Sequence, residues 1–384
     1  MRIGIDARMA GKGHGIGRYV EQLILNLQKI DVKNQYVLFV RKDFKLDGLD
    51  LNRFEIIEAD IPWYSWREQI EFTKIIKKAK LDLMHFPHWN IPVFYSGPFV
   101  ATIHDLTMFH FPRPEATMLG PVKFWLKDKA HRFVVKRAVK KAKRIITTSE
   151  FTKYDIHKTL GVPNEKMTVV YQAPFVGNMK SVFLDQREKI RNPKQILDKY
   201  KISKPYVLYA GAAYPHKNLE KLMEAWKILG EKFDDEYQLV LAGKDNYFYK
   251  RLRQQCNNVT MKQCKNVIFI GFISDEDLAD LYEQADLYVF PSLYEGFGLS
   301  PLEAMAHGVP VASSNSSCLP EVLGEGAIYF DPNDAQNMAD TIKIGLENEE
   351  IRHQLFANGS RELKKYSLEK MIKQTLSVYW PNCG

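Results

Sequence analysis

The sequence predicts an α/β protein with two domains, each built on its own parallel β-sheet. The chain has 384 residues, enough for two or three domains at about 100–200 residues each. Short apolar runs, typical of buried strands, alternate with longer amphipathic segments, typical of helices. This alternation occurs in two successive series, and one segment of weak periodicity, residues 172–203, separates them. Alternating strands and helices favour parallel sheets with helices on both faces.

The first series opens with a strand at residues 3–7, a glycine-rich loop and then a helix. The loop contains Gly11, Gly13, Gly15 and Gly17. In dinucleotide-binding folds a strand, a glycine loop and a helix start together hold a phosphate. No GK[ST] sequence follows the glycines, which argues against a P-loop ATPase. The rest of this series is predicted as strands at 36–40, 54–57, 83–86, 99–103, 145–149 and 167–171, with helices at 66–80, 123–144 and 150–160.

After the linker, Pro205 begins a second series of strands and helices. Asp334 is expected to cap one helix, and a helical turn is expected at 195–200 within the linker. The predicted strands are 205–210, 238–242, 267–270, 287–290 and 309–312, and the predicted helices are 219–233, one beginning after Ser274, 335–346, 351–363 and 368–379.

Two carboxylates, Glu295 and Glu303, flank a glycine-containing turn after the strand at 287–290. Ser300 and Pro301 predict the cap and the first turn of the following helix. Ligands of open α/β sheets bind at such strand-to-helix junctions. Carboxylates accept hydrogen bonds from hydroxyls, and the free N–H groups of a helix start attract anions. The stretch therefore suits a polyol phosphate, and the alternative is a capped surface helix.

Other candidate residues follow predicted strands. Lys217 lies just before a helix start, where its charge would neutralise a phosphate, and His104-Asp105 ends the buried strand at 99–103. Asp275 and Asp277 have the spacing of a metal-binding pair, but they lie in the first turn of a Ser-capped helix, where acids favour the helix dipole. We therefore expect no metal.

The positive charge is concentrated in the first half of the chain. Residues 1–178 hold 29 Lys and Arg against 18 Asp and Glu, although the whole chain carries +8. The predicted helix at 123–144 is rich in lysine, arginine and aromatic residues. Such a helix is either a solvated face or a surface for an anionic membrane, and no nucleic-acid-binding motif accompanies it.

Several further features predict a cytoplasmic protein, for which a membrane contact through residues 123–144 would be a peripheral one on the inner membrane face. The four cysteines form no CxxC pair, as expected of free thiols in a reducing compartment. The sequence contains no apolar run long enough to span a bilayer, and no signal-peptide pattern.

Together the motifs resemble glycosyltransferase family 4, the retaining nucleotide-sugar enzymes with the GT-B fold. The family's Glu-x7-Glu signature is similar to Glu295 through Glu303. Nearly the whole chain shares in the resemblance, through segments in the expected order: Ile5-Asp6-Ala7-Arg8, Gly15-Ile16-Gly17-Arg18-Tyr19, Ile103-His104-Asp105-Leu106, Ser149-Glu150-Phe151-Thr152, His216-Lys217-Asn218-Leu219, the run 303–311 and Pro320-Glu321-Val322.

The resemblance implies roles for single residues. Lys217 would bind the donor diphosphate, Glu295 the sugar hydroxyls and Glu303 the ribose. His104 would lie near the transferred sugar and Phe272 beside the nucleobase. The remaining donor contacts are implied for glycines and backbone N–H groups: Gly15, Gly17, Gly296, Phe297, Gly298 and Leu299.

The resemblance also implies the organisation of the chain. Residues 1–178 would bind the acceptor, together with a last helix near 367–384 that returns to them, and 179–366 would bind the donor. The two domains would face a central cleft. Many members have an arginine after the phosphate-strand glycine, but this chain has Ala212 there, and His216 or Arg18 would have to compensate.

The implied activity is transfer of a hexose, with retention, to a glycan, lipid-linked or phosphorylated acceptor in polysaccharide synthesis. The Lys-Asn and His-Asp-Leu forms favour mannosyltransferase-type members, so the donor would be GDP-mannose or a UDP-sugar, and no cofactor is implied. The alternatives are a nucleotide-sugar epimerase or phosphorylase of the same fold and a non-catalytic two-lobed sugar-binding protein. A phosphorylase should show a pyridoxal lysine and a longer chain, and neither is found.

Overall fold

The computed structural model describes residues 1–11, 15–114, 120–174, 193–203, 205–233, 236–258 and 266–380. The chain divides into two compact units, Met1–Ala173 with Tyr366–Gly384, and Pro174–Lys365. The sequence placed the corresponding boundaries at 178/179 and 366/367. The first of these predicted boundaries, together with Gly13, Cys264 and Cys383, lies outside the described residues.

The first unit is built on a seven-stranded sheet in the order β3-β2-β1-β4-β5-β6-β7, in which every neighbouring pair is parallel. Its strands are β1 Arg2–Asp6, β2 Gln35–Val40, β3 Phe54–Glu58, β4 Leu83–Phe86, β5 Phe99–Ile103, β6 Arg144–Thr147 and β7 Met167–Val169. Its first helices are α1 Ile16–Ile30, α2 Thr73–Lys78, α3 Thr107–His110, α4 Pro121–Lys141 and α5 Glu150–Leu160.

The second unit is built on a six-stranded sheet in the order β10-β9-β8-β11-β12-β13, again parallel throughout. Its strands are β8 Tyr206–Ala210, β9 Gln238–Ala242, β10 Val267–Gly271, β11 Leu287–Phe290, β12 Val311–Ser314 and β13 Ala327–Phe330. Its helices are α6 Pro193–Tyr200, α7 Leu219–Phe233, α8 Tyr247–Asn258, α9 Asp275–Gln284, α10 Leu299–Ala306, α11 Leu319–Leu323, α12 Ala335–Glu347 and α13 Glu349–Leu363.

The last helix, α14 Leu368–Tyr379, belongs to the first unit, where it packs against α1. The two faces of the first sheet are covered by different helices, since alternate strand residues point to opposite sides. Ile3 and Ile5 pack with residues of α1 and α14, whereas Met84 and Phe86 pack with residues of α4. Two parallel sheets covered in this way confirm the predicted fold class.

In each sheet the strand order reverses once, between β1 and β4 and between β8 and β11. The chain builds β1, β2 and β3 outward and then returns to the other side of β1, and it repeats this pattern from β8. The loops that leave the carboxyl ends of these strands diverge at the reversal and leave a crevice. The reversals therefore mark the two places in the chain where a ligand site is expected.

Several predicted bounds of single elements were wrong, among them those of α4, α2 and β12. Helix α4 ends at Lys141, because Ala142 adopts extended backbone angles and Arg144 begins β6. The predicted helix at 66–80 begins at Glu68 with a π-helical turn, Glu68–Phe72, and continues as α2. The predicted strand at 309–312 is shifted to Val311–Ser314, because register with β11 begins at Val311.

Candidate active site

The reversal in the second sheet brings two predicted site residues together. Lys217 lies in the loop after β8, and Glu295 lies in the loop after β11. The Lys217 Nζ atom lies 2.5 Å from Glu295 Oε1, and the two side chains are only 19% and 13% exposed. Lys217 Nζ also lies 5.4 Å from the centre of the Phe290 ring. A cation and a carboxylate that partly lack water thus face each other where a ligand of this fold is expected.

The loop that carries Lys217 is fixed by its neighbour Asn218. This residue has a left-handed backbone, with φ of 60°, and it ends the short 3₁₀ turn Pro215–Lys217. Its side-chain amide donates hydrogen bonds to the carbonyl oxygens of Pro291, at 3.2 Å, and Pro332, at 2.7 Å. Asn218 thereby ties together the loops that follow β8, β11 and β13. The position of Lys217 relative to Glu295 is set by these bonds.

Three buried tyrosines hold the backbone at the end of β8. Their hydroxyls donate to the carbonyl oxygens of successive residues: Tyr288 to Ala210 at 3.1 Å, Tyr249 to Gly211 at 2.9 Å, and Tyr209 to Ala212 at 2.8 Å. Burial raises the pKa of each of these tyrosines above its ordinary value, so the hydroxyls remain donors at neutral pH. The segment that lacks the family's arginine is therefore a rigid, neutral backbone.

The stretch from Glu295 to Glu303 forms the start of α10. The predicted cap, Ser300, is wrong: the helix begins at Leu299, and Gly298 takes the cap position with φ of 92°. Gly298 has no side chain that could cap this helix start, where the helix dipole favours an anion. The backbone N–H of Glu295 donates to Ser317 Oγ at 3.0 Å, which fixes the chain just before the turn.

The remaining donor-side residues lie around this turn with different exposures. Glu303 is buried within α10, and its charge raises the pKa of Tyr288 after the larger effect of burial. Phe297 is also buried, whereas Phe272, which follows β10, is 60% exposed. An aromatic ring at a strand end can stack on a flat ligand. The roles implied for these residues and for Gly296 and Leu299 remain predictions.

His216 and Asp277 have structural partners. The His216 ring is buried and stacks on Tyr214, with ring centres 6.0 Å apart, so it is placed as a packing residue and not as a second phosphate cation. The Asp277 N–H donates to the Oγ of Ser274, the cap of α9. The Asp277 carboxylate accepts hydrogen bonds from Lys199 and Tyr200 of α6. Within the described residues, no group of three or more His, Cys, Asp or Glu side chains could hold a metal ion.

In the first unit, the loop after β1 and the end of β5 supply the predicted residues. Gly15 precedes α1 with φ of 57° and ψ of −119°, angles that residues with a Cβ rarely adopt, and Gly17 is buried in the first turn. The next turn carries Tyr19, whose ring meets the His104 ring edge-on at 4.8 Å. The glycine loop and the predicted histidine are therefore neighbours through Tyr19.

Both ring nitrogens of His104 are engaged by the protein. Nε2 donates to the Pro87 carbonyl at 2.9 Å, and Nδ1 accepts from the Gln172 side chain at 2.9 Å. These bonds assign the proton to Nε2. Burial lowers the pKa of His104, so the ring is neutral at pH 7. A base would need a free nitrogen, and His104 offers one only if Gln172 moves away.

A buried chain of hydrogen-bonded side chains leads from α14 to Tyr19, whose ring contacts His104. The Tyr379 hydroxyl lies 2.6 Å from His85 Nδ1, His85 Nε2 lies 2.9 Å from Thr102 Oγ1, and Thr102 lies 3.3 Å from the Tyr19 hydroxyl. Sequence reasoning missed Tyr379, His85 and Thr102, because each is a single polar residue in an apolar pattern, up to 294 positions from its partner.

A second buried network that the sequence did not predict lies beside the same strand ends. The Arg8 guanidinium binds Asp6 at 2.7 Å and Glu68 at 2.8 Å, and Asn90 donates to both Glu68 oxygens at 2.9 Å. The Asp6-Ala7-Arg8 segment was visible as part of a motif, but Glu68 and Asn90 carried no local signal.

No helix in the described ranges is long and apolar enough to cross a bilayer.

Comparisons with known proteins show the family of this chain. The model of glycosyltransferase family 4 matches residues 13–173, and that of the glycosyl transferases of group 1 matches 187–362. The O-antigen chain mannosyltransferase B of Escherichia coli is 31% identical over 311 residues, which cover 79% of this chain and 75% of that protein. The O-antigen chain mannosyltransferase RfbU of Salmonella typhimurium is 30% identical over 281 residues, 73% and 69% of the two chains.

Among solved structures, the sucrose-phosphate synthase of Thermosynechococcus elongatus has a TM-score of 0.74 at 20% identity, covering 99% of this chain and 98% of that one. This likeness concerns the fold and confirms the predicted GT-B class. The chain therefore belongs to glycosyltransferase family 4, and it is a hexosyltransferase with mannosyltransferase-like relatives.

Proposed function

We propose that this enzyme transfers mannose from GDP-mannose, with retention, to a glycan or lipid-linked acceptor in polysaccharide synthesis. The observation that carries the proposal is the Lys217–Glu295 pair at the reversal of the second sheet. The names of the two mannosyltransferase relatives, both of O-antigen chains, support the sugar and the pathway class. Family membership favours transfer over the epimerase and binding-protein alternatives.

Donor binding would separate the pair. A nucleoside diphosphate brings negative charge, which attracts the Lys217 ammonium, and the sugar brings hydroxyls, which the freed Glu295 carboxylate accepts. The pair is thus a preformed, neutral arrangement whose two members would each find a partner in the donor. Because Lys217 is already oriented by Asn218, little reorganisation is needed.

In the transfer step, the bond between the anomeric carbon and the diphosphate oxygen breaks, and the electron pair leaves with the diphosphate. The acceptor hydroxyl oxygen bonds to the same face of that carbon, and its proton passes to the departing phosphate oxygen. Lys217 and the N–H groups at the start of α10 would stabilise the leaving charge, and such preorganised donors typically contribute about 3 kcal/mol. His104, neutral and hydrogen-bonded at both nitrogens, would position the sugar.

A panel of nucleotides tests the donor assignment. We expect GDP and GDP-mannose to raise the melting temperature more than UDP, ADP or TDP and their sugars, since a ligand that binds the folded state stabilises it. Release of GDP that requires added acceptor would establish transfer. A larger shift with UDP-sugars would contradict the donor assignment, and release of nucleotide without sugar transfer would contradict the activity.

We also propose that the exposed face of α4 rests on an anionic membrane surface. Val122, Trp125, Leu126 and Phe133 of α4 are more than half exposed. The same helix carries further exposed residues, Lys129, Lys136 and Lys140. Apolar side chains among lysines are typical of helices that lie in the headgroup region of a bilayer. Arg137, by contrast, donates to the Val93 carbonyl and is structural.

Vesicle binding tests this contact. Replacing Lys129, Lys136 and Lys140 by Gln should weaken binding to phosphatidylglycerol vesicles about a hundredfold, at about 1 kcal/mol per lysine. The control replaces the three exposed lysines of α2, Lys74, Lys77 and Lys78, which changes the net charge equally. Equal losses in both variants would show a non-specific charge effect and contradict a contact through α4.

A further inference from the structure

Trp89 lies at the reversal of the first sheet, just after β4, in the place that Glu295 occupies after β11 in the second sheet. Three aromatic rings surround it. Its ring centre lies 5.8 Å from that of Tyr64, 4.3 Å from that of His88 and 4.2 Å from that of His131. Trp89 itself is partly exposed at the edge of the core. An aromatic cluster thus lies where the fold places a ligand.

Tyr64 is held in an unfavourable backbone conformation at this cluster. Its φ is 60°, which costs a residue with a side chain about 1–2 kcal/mol. Buried hydrogen bonds fix this conformation. The Tyr64 N–H donates to Glu68 Oε2 at 2.7 Å, and Arg8 and Asn90 in turn bind the Glu68 carboxylate. Yet Tyr64 as a whole residue is 59% exposed, although burial raises the pKa of its hydroxyl to about 12, so core burial does not repay this cost in full. Strain of this kind is typical of functional positions.

His131 supports the cluster from α4. Its ring meets the Trp89 indole at an interplanar angle of 71°, which fixes the orientation of the indole. Both of its ring nitrogens are buried, and neither has a hydrogen-bond partner among the described residues. Burial lowers the pKa of His131 to about 4, so the ring is neutral at pH 7. Buried polar atoms without partners are uncommon and mark a place where a polar ligand group can be accommodated.

We propose that Tyr64 and Trp89 form a platform on which a pyranose ring of the acceptor glycan stacks, with His131 as its positioning residue. The C–H groups of one sugar face pack on aromatic rings, while the hydroxyls around the edge form hydrogen bonds. The two rings are tilted by 40°, as in a shallow trough open to solvent. The proposal rests on the proposed function, since it assigns the acceptor side of the same transfer.

Binding of a linear α-mannotriose, followed by saturation-transfer NMR, tests the platform. Trp89→Ala and Tyr64→Ala should each weaken mannotriose binding about tenfold, the loss of one stacked aromatic ring. Trp89→Phe should keep most of the affinity. The control is Trp66→Ala, because Trp66 is the neighbouring aromatic residue and is 78% exposed. The control should bind mannotriose like the unchanged protein.

A second variant separates binding from folding. Tyr64→Gly removes the ring and also the backbone strain, so it should lose mannotriose binding while the free energy of unfolding stays level or rises. Unchanged binding in Trp89→Ala, or no mannotriose binding by the unchanged protein, would overturn the platform. A GDP-induced rise in melting temperature in the same samples shows whether the donor assignment still holds. If that rise is absent as well, the proposed function itself fails.

Discussion

The Lys217 ammonium and the Glu295 carboxylate lie 2.5 Å apart, although 78 residues separate them in the chain. Each follows a strand at the reversal of the second sheet, and each loop is fixed by backbone hydrogen bonds. The Leu293 N–H donates to the His216 carbonyl at 2.7 Å, which joins the two loops directly. The pair therefore belongs to a rigid frame, and a ligand that replaces the contact meets groups already in position.

Asn218 should contribute to both stability and donor binding. Asn218→Gly keeps the left-handed backbone but removes two hydrogen bonds to carbonyl oxygens, so unfolding should become about 1–3 kcal/mol easier. Asn218→Ala should lower the free energy of unfolding by about 1 kcal/mol more, because alanine is strained in the left-handed backbone conformation. Urea unfolding and GDP calorimetry measure the two effects. Equal stability of the glycine variant and the unchanged protein would contradict the role of the amide.

Gly298 and Gly15 should respond differently to alanine. Both have positive φ, but a Cβ at Gly298 would lie 2.9 Å from Leu319 Cδ2, whereas a Cβ at Gly15 would meet nothing within 4 Å. Gly15→Ala should therefore lower the free energy of unfolding by about 1–3 kcal/mol through backbone strain alone. Gly298→Ala should lower it by about 1–3 kcal/mol more, because it also introduces a steric clash. Melting temperatures decide this, and a Gly298→Ala loss no larger than that of Gly15→Ala would be evidence against the close packing.

The sequence predicted the strand–helix series because apolar periodicity and glycine punctuation are local signals. Several elements, including β4, β5, α7, β9, β11 and α14, lie where these signals placed them. Lys217 and Glu295 were found as separate residues at strand ends, but their contact depends on strand order, which no local pattern encodes. The cap at Gly298 was missed because Ser300 offered a stronger cap signal, whereas packing against Leu319 favours a glycine two residues earlier.

Gln172 should control the state of His104. In Gln172→Leu the Nδ1 atom loses its donor, so the proton is no longer confined to Nε2 and the ring is less well fixed. We expect kcat to fall about tenfold with the GDP affinity unchanged, because a less well fixed ring positions the sugar less precisely. Nitrogen-15 NMR of the histidine ring reports the tautomer. A kcat and a tautomer both unaltered in Gln172→Leu would rule out this positioning role.

Acid should destabilise the first unit through His85. Burial lowers the pKa of His85 to about 3, whereas the unfolded chain has a pKa near 6.5. Between these values the unfolded state binds the proton and the folded state does not, so stability is present above pH 6.5 and is lost as the pH falls toward 3. From pH 7 to pH 5 the expected loss is about 2 kcal/mol.

Urea unfolding at the two pH values measures this loss. His85→Asn should flatten the pH dependence, because asparagine does not titrate. His353→Asn is the matched control, since His353 is an exposed histidine of α13. The same slope in His85→Asn and in the unchanged protein would assign the acid sensitivity to other groups.

The central claim is that Lys217 stabilises the leaving diphosphate, and the kcat of Lys217→Ala tests it most directly. The control is Lys221→Ala, which removes a partly exposed lysine in the first turn of α7 whose salt-bridge partner among the described residues is Glu224. We predict that kcat falls about 10²- to 10³-fold in Lys217→Ala and is unchanged in Lys221→Ala, because only the first substitution removes the cation that stabilises the leaving diphosphate. A folded Lys217→Ala enzyme with the kcat of the unchanged protein would contradict the account.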